Sequence, residues 1–303
     1  RRQTYRDFQT VVVDNGSEDE SRVVLGSRYP DVHVICNDAN RGFAVAVNQG
    51  IRAAESRFVA VLNNDTVVDS DWLSALVAAT QDSPDVGMCA SKMILASERN
   101  LIDSAGICVD RLGFAWDRFG GHVDNSGDTD VMEVFGPSAG AALYRREMLD
   151  EIGLFDEDFF AYLEDVDLAW RARARGWRCL YVPTASVLHR HSATSREGSP
   201  FKSYQLGRNK VWLLIKNYPF RCLWHHVPLI ILYDLAAVAY ALLIRGDISA
   251  LRGRIAGLFR ARLMLSKRSR GDCDSYQEIA SLDPIRWPCK IRADLAYLDG
   301  LRL

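Results

Sequence analysis

The chain has 303 residues, 48% of them hydrophobic, and its 37 Lys and Arg against 39 Asp and Glu leave a formal charge of −2. That much apolar material fills one large core, or a core with an appendage, which excludes a disordered chain. The near-neutral balance supplies no overall basic field, so nucleic acid is not an expected partner.

In chain order, "TVVVD" (10–14), "VHVIC" (32–36) and "RFVAVLN" (57–63) read as strands, separated by helical patterns as in parallel α/β units. The first helix is expected to be capped by Ser17, and "GFAVAVNQGIRAAE" forms the second. A third is expected to cap at Asp69 or Ser70, to turn Trp72, Leu73, Leu76 and Val77 inward, and to stop before Pro84. Residues 96–135 are rich in Gly and Asp and read as a long irregular segment of the functional kind. "GPSAGAALYRREMLDEIG" then reads as a strand and a short helix, and "FFAYLEDVDLAWRARARGW" (159–177) as an acid-headed helix. "RCLYVPTASVLHRHS" reads as two short strands broken at Pro183. Beyond about residue 200 the pattern is helical, apolar and increasingly basic, which divides the chain into 1–199 and 200–303.

Three strand ends carry polar groups: Asp14 and Asn15, then Asn40, Arg41 and Gly42, then Asn63, Asn64 and Asp65. Asp, Asn and Gly are good turn formers after any strand, yet ligands of parallel α/β sheets collect at this edge. No GxGxxG follows a strand and no GxxxxGK[ST] occurs, so a bound diphosphate would need another neutraliser, such as a divalent cation on Asp65. His189 and His191 offer further ligands, and imidazole with carboxylate fits Mn2+ better than Ca2+. Glu164, Asp165 and Asp167 at a helix start are explained equally by capping, worth roughly 0.3–1 kcal/mol each, and by a carboxylate placed to take a proton from a hydroxyl. A base there would need neighbouring acids and an aromatic wall of Phe159, Phe160 and Tyr162 to raise its pKa.

Taken together, "VVVDNGSEDES", "NRGFAVAVNQGI", "VLNNDTVVDSDWL", "GPSAGAALYRREMLDEIGLFDEDFFAYLEDVDLAWRARARGW" and "YVPTASVLHRHS" resemble the family 2 glycosyltransferases, in particular the bacterial rhamnosyltransferase-like branch, over roughly residues 8–217. The resemblance implies an α/β GT-A fold with a mostly parallel sheet flanked by helices. It implies inverting transfer of a sugar, rhamnose among the candidates, from a dTDP- or UDP-sugar to a hydroxyl of a glycan or lipid-linked acceptor in cell-surface polysaccharide assembly. Residue by residue it implies Asp165 as the base and Asp167 as a cap. Asp14, Asn15, Arg41 and Asn64 fall on the donor side, and Ala139, Gly140 and Glu164 in the acceptor or sugar pocket. Asp65 and His189, with His191 second, would be the ligands of Mn2+ or Mg2+. The family opens with an apolar strand and a helix ahead of "VVVDNGS", and only "RRQTYRDFQ" precedes it here, so an N-terminally shortened chain is expected. Nucleotidyl transfer and a non-catalytic nucleotide-sugar-binding module are the competing functions. The first needs a glycine-rich basic loop near the N-terminus, which is not visible; the second is disfavoured by an intact Asp65, Asp165 and His189.

The seven cysteines (Cys36, Cys89, Cys108, Cys179, Cys222, Cys273 and Cys289) form no CxxC pair, which points to a reducing, cytoplasmic setting. The N-terminus runs from charged residues straight into an apolar strand pattern, so no signal peptide is expected. The apolar run Pro228–Ile244, 17 residues with Asp234 inside it, reaches about 25 Å against a hydrocarbon core of about 30 Å, so a spanning helix is not expected. Arg245–Arg270, with eight Lys or Arg against Asp247 alone, reads instead as a helix lying on an anionic surface, here the inner face of a bacterial plasma membrane, or as a packing helix with a solvated basic face.

Overall fold

The computed structural model describes residues 2–110, 112–124, 127, 129–190 and 199–268. Strands β1 (Val11–Asn15) and β2 (His33–Asn37) pair in parallel around the crossover helix α1 (Ser21–Arg28). Helix α2 (Phe43–Ala53) follows, burying Ala44, Asn48 and Ile51 along one face. Then come β3 (Phe58–Leu62), β4 (Thr66–Val68), α3 (Trp72–Gln81) and the fully buried β5 (Val86–Leu95). Ser17 does not cap α1, which Glu20 precedes; its N–H donates to Asp14 instead. Asp71, not Asp69 or Ser70, precedes α3, whose inward face uses Thr80 beside Trp72, Leu73 and Leu76.

The segment expected to be irregular carries β6 (Ile102–Ser104), β7 (Ile107–Val109), β8 (Ala115–Asp117) and β9 (Met132–Val134). Three-residue strands are too short for alternation to be legible, and Leu101–Asp110 is buried rather than loop-like. Beyond it lie β10 (Ala141–Arg145), α4 (Arg146–Ile152), a 3-10 turn at Glu157–Phe159, α5 (Glu164–Arg173) and β11 (Arg178–His189). β11 is one strand: Pro183 sits where the register against β5 shifts, between Val182 and Ser186, the place a residue without an N–H is tolerated.

The main sheet runs β3-β10-β5-β11-β4, with β6 beside β5 and β9 beside β11. It is mixed rather than mostly parallel: β11 runs parallel to β5, while β10 and β4 are antiparallel to their neighbours. β1 and β2 stand apart as a two-stranded sheet. Among the described residues, one edge of β1 and one edge of β3 have no strand partner.

Four helices complete the chain as described: α6 (Pro200–Asn217), α7 (Phe220–Arg245), α8 (Ser249–Phe259) and α9 (Ala261–Ser266). Residue 200 marks a change of secondary structure but not of core, because Leu213, Leu214, Tyr218 and Ile230 belong to the same buried cluster as Tyr144 and Trp170. Lys216 on α6 is buried between Asp156, at 2.7 Å, and Asp167 of α5, at 2.8 Å. Asp167 also accepts from Arg171 and Asn217. It is therefore a buried ion-pair centre clamping α5 to α6, not the helix cap expected. Helix α7, at 26 residues, is about 39 Å long, which overturns the length argument made from the apolar run alone.

Candidate functional site

The C-terminal end of β3 and the turn before β10 are joined by the Asn63 N–H donating to the Gly140 carbonyl at 2.9 Å. The preceding residue of that turn, Ala139, donates its N–H to Asp165 Oδ2 at 3.2 Å. Backbone thus ties the Asn63-Asn64-Asp65 strand end to the acid at the head of α5. Asp14, Asn15, Asn64, Asp65, Ala139, Gly140, Glu164, Asp165 and His189 all line one cavity of about 2280 Å³. That exceeds the roughly 300–1,000 Å³ of an ordinary ligand pocket, because the cavity continues between the unpaired edges of β1 and β3.

Asp65 and His189 are brought together by the β4/β11 ladder, in which His189 pairs with Thr66. His189 Nε2 lies 3.3 Å from Asp65 Oδ1, a buried oxygen with no hydrogen bond among the described residues. The other ring nitrogen, Nδ1, donates to Asp103 Oδ2 at 2.6 Å. With the proton on Nδ1, that contact would leave the Nε2 lone pair turned toward Asp65. Adjacent donors on a six-coordinate cation with bonds of about 2.1 Å stand about 3 Å apart, so an orphaned carboxylate oxygen and an oriented imidazole fit two neighbouring corners of Mn2+ or Mg2+. Among the described residues no group of three or more His, Cys, Asp or Glu gathers to enclose a metal. These two would hold an open site. His191 lies outside the described residues.

The segment leading to α5 is held in an unusual backbone. Phe160, Tyr162 and Leu163 all have φ between 66° and 70°, a region that costs a non-glycine residue of order 1–3 kcal/mol. Buried Asn209 of α6 offsets this by placing its amide within hydrogen-bond reach of the Phe159, Ala161 and Tyr162 carbonyls, at 3.0, 2.9 and 2.6 Å. Gly42, at φ 91°, lies against the Phe160 ring so closely that a Cβ would meet it at 2.6 Å. Phe160 and Tyr162 line the cavity, whereas Phe159, expected in the same aromatic wall, is fully buried against Trp212.

At the end of this segment Asp165 is half-buried, with Oδ1 on the Val166 N–H and Oδ2 on the Ala139 N–H. Burial raises its pKa more than those N–H groups lower it. Glu164 is 6% exposed, its Oε2 has no partner among the described residues, and burial together with the Asp165 charge pushes it well above the usual carboxylate range. Two adjacent carboxyl groups that ionise reluctantly, at the wall of a cleft, are the arrangement a proton acceptor needs near neutral pH.

The donor-side residues are mostly engaged with the protein itself. Burial opposes ionisation of Asp14, but hydrogen bonds from Ser17 and Arg22 outweigh it and hold the carboxyl below its ordinary value. Asn15 donates to Asn40 Oδ1 and the Gly42 carbonyl and accepts from the Arg41 N–H and Asn37; its side chain shapes the turn into α2. Arg41 is exposed and is not part of the cavity wall. Asn64 is exposed at the wall. A Cβ on Gly140 would stand 3.0 Å from Met93 Cε and 3.4 Å from Asn63 Nδ2, so glycine keeps this part of the wall low.

Sequence reasoning missed Asp103, Asn209 and Lys202. Asp103 lay in the stretch read as irregular, and Asn209 in a helix read only for its apolar pattern. Lys202 lines the cleft with its Nζ 5.3 Å from the Tyr162 ring centroid, and burial pushes its ammonium down to about 8. No local pattern announces any of the three.

A family model described as glycosyl transferase family 2 matches residues 1–153. The chain is 31% identical over 219 residues to the N-acetylglucosaminyl-diphospho-decaprenol L-rhamnosyltransferase of Mycobacterium tuberculosis, covering 65% of this chain and 71% of that protein. It is 27% identical over 228 residues to the O-antigen biosynthesis protein RfbC of Myxococcus xanthus, covering 71% of this chain but 18% of that one. Among solved structures, GalNAc-T7 with UDP, GalNAc and Mn2+ superposes with a TM-score of 0.62 at 17% identity over 93% of this chain and 52% of its own. The Pyrobaculum calidifontis mannosyltransferase PcManGT with GDP-Man and Mn2+ does so at 0.50 and 18% identity, over 98% and 78%. The architecture is the GT-A fold.

Proposed function

The chain belongs to glycosyl transferase family 2, and from that premise we propose that it moves a sugar from a nucleotide-diphosphate donor to a hydroxyl of a lipid-linked or glycan acceptor with inversion. The observation that carries this reading is the hydrogen-bonded wall from Asn63 through Gly140 and Ala139 to Asp165. It sets the Asp65–His189 pair and the reluctant carboxyl of Asp165 on one cleft. Asp165, its pKa raised by burial, accepts the acceptor's proton as that oxygen forms the new bond to the anomeric carbon and the bond to the diphosphate breaks. Its two backbone N–H contacts hold the carboxylate in one orientation. Glu164, Ala139 and Gly140 border the place of the reacting sugar, and Asn64 with the turn shaped by Asn15 borders the donor. Asp65 and His189 would hold Mn2+ or Mg2+, which when bound would supply positive charge for the leaving diphosphate.

Rhamnose, a dTDP- or UDP-linked donor and a role in cell-surface polysaccharide assembly are the finer reading, supported by the 31% likeness to a rhamnosyltransferase named for a diphospho-decaprenol acceptor. A lipid-linked acceptor sets the work at the inner face of the bacterial membrane, with the chain attached peripherally. The test is nucleoside diphosphate release from a panel of nucleotide sugars with Mn2+ and a lipid-diphosphate acceptor, with Asp165→Asn as control. Release from at least one donor, abolished in the variant, is expected; no release from any donor, or equal release by the variant, sinks the proposal.

A further inference from the structure

Asp234 is the residue that argues from sequence against a membrane-spanning α7, and the structure turns it inward. Its Oδ1 accepts from Lys210 Nζ at 2.9 Å and Arg254 Nη2 at 2.9 Å. Ile230 and Val238, one helical turn to either side, are buried, and Asp234 itself is half-buried. The opposite stripe is open along the whole helix: Trp224, Leu232, Leu235 and Leu243 are 64%, 63%, 61% and 82% exposed. Between Val227 and Ile244 that stripe carries no charge. Helix α8 extends the apolar surface with Leu258 and Phe259, 63% and 86% exposed, and α9 with Leu263 and Leu265, 38% and 50% exposed. Their inner side is pressed onto α6 so tightly that a Cβ on Gly253 would stand 2.1 Å from the Tyr204 carbonyl oxygen, so the outward side is fixed.

An exposed apolar face of this extent needs an occupant, and charge identifies it. Exposed Arg252, Arg260 and Arg262 flank the face, and α8 and α9 contain no acid at all, although the whole chain is slightly negative. Cations beside an apolar stripe match an anionic lipid surface. The end of α7 also meets the cleft. Arg245 lines it, and Asp247 in the following turn is bonded to Ser203, beside Lys202. We infer that the outward face of α7, continued by α8 and α9, lies in the plane of an anionic bilayer, which brings the Lys202–Arg245 edge of the cleft to the level of the lipid phosphates. This deepens the membrane reading above and replaces the basic stretch alone with an apolar seat. A spanning α7 would carry the Lys210–Asp234–Arg254 cluster into hydrocarbon, whereas an in-plane one leaves it within protein.

Flotation with phosphatidylcholine–phosphatidylglycerol vesicles, against phosphatidylcholine alone, tests the seat. The chain is expected to bind the anionic vesicles more tightly and to be stripped by alkaline carbonate. The pair Leu232→Glu and Leu235→Glu is expected to weaken partition by about 100-fold or more. Arg260→Glu with Arg262→Glu, which leaves the apolar face intact, should remove only the preference for anionic vesicles. Unchanged binding by the glutamate pair, no preference for anionic lipid, or resistance to carbonate would each overturn the inference. So would a dimer in vesicle-free solution that the glutamate pair dissociates, since the face would then belong to a second copy. Nucleoside diphosphate release by the unaltered chain without vesicles is scored separately: release without vesicle binding sinks only the seat, and vesicle binding without release sinks only the transferase reading.

Discussion

The side-chain amide of Asn209 donates to the main-chain carbonyl of Tyr162 at 2.6 Å, across 47 positions of sequence, and by that bond a helix outside the strand-rich part holds the backbone that presents Glu164 and Asp165. Replacing Asn209 by Ala removes the amide donor placed between the Phe159, Ala161 and Tyr162 carbonyls; that of Phe159 keeps Arg208 and the Ala161 N–H, and the other two lose this donor. The expected result is a loss of about 1–3 kcal/mol of stability. Turnover should fall at least about tenfold with the KM for donor little changed. Steady-state kinetics separate this from general unfolding, and equal effects on both constants would count against a positioning role.

Asp165 and Asp167 are two residues apart on α5 and should behave oppositely. Asp165→Asn is expected to abolish transfer and leave donor affinity near its original value. Asp167→Ala leaves Arg171 without its acid and Lys216 with Asp156 alone, around a fully buried place, and is expected to cost about 3 kcal/mol. Denaturant melts and donor titrations distinguish the two, and a stable, active Asp167→Ala would contradict the clamp.

Glu164 offers a pH test. Its folded pKa lies above the unfolded one, so the folded state binds its proton more tightly and loses stability as pH rises from the unfolded toward the folded value. Glu164→Gln should be no more stable than the original at acid pH. It should be more stable by about 1–3 kcal/mol above the folded pKa. Thermal melts across pH that stay parallel would remove the argument.

Asp103 should act through His189. Asp103→Asn keeps the size of the side chain but weakens the acceptor for the Nδ1 proton, and Mn2+ affinity is expected to fall about 10- to 100-fold with the melting temperature nearly unchanged. Titration of Mn2+ by paramagnetic resonance reads this directly, and unchanged affinity would detach Asp103 from the site.

The backbone of β1 and β3 should exchange hydrogen faster than that of β5. β5 is paired on both sides by β10 and β11, while β1 and β3 each present one edge to the cavity. Native-state exchange read by mass spectrometry would show it, and equal protection of the three strands would mean that the cavity between them is closed in solution.

What the sequence alone determined is what adjacent residues settle among themselves. Strand and helix periods are local, and so are the polar groups that follow an apolar run, which made β1, β3 and the Asn63-Asn64-Asp65 strand end legible before any coordinates, while Asp165 and His189 were singled out only through the family resemblance. Short strands such as β6 and the caps of α1 and α3 were misread, because three residues carry no period and several Ser or Asp side chains compete for one helix end. Tertiary structure decided the rest. Asp103 reaches His189 across 86 positions, and Asp234 faces Lys210 and Arg254 rather than lipid. Each outcome follows from which surfaces pack together, and packing joins residues whose separation along the chain carries no trace of their distance in space.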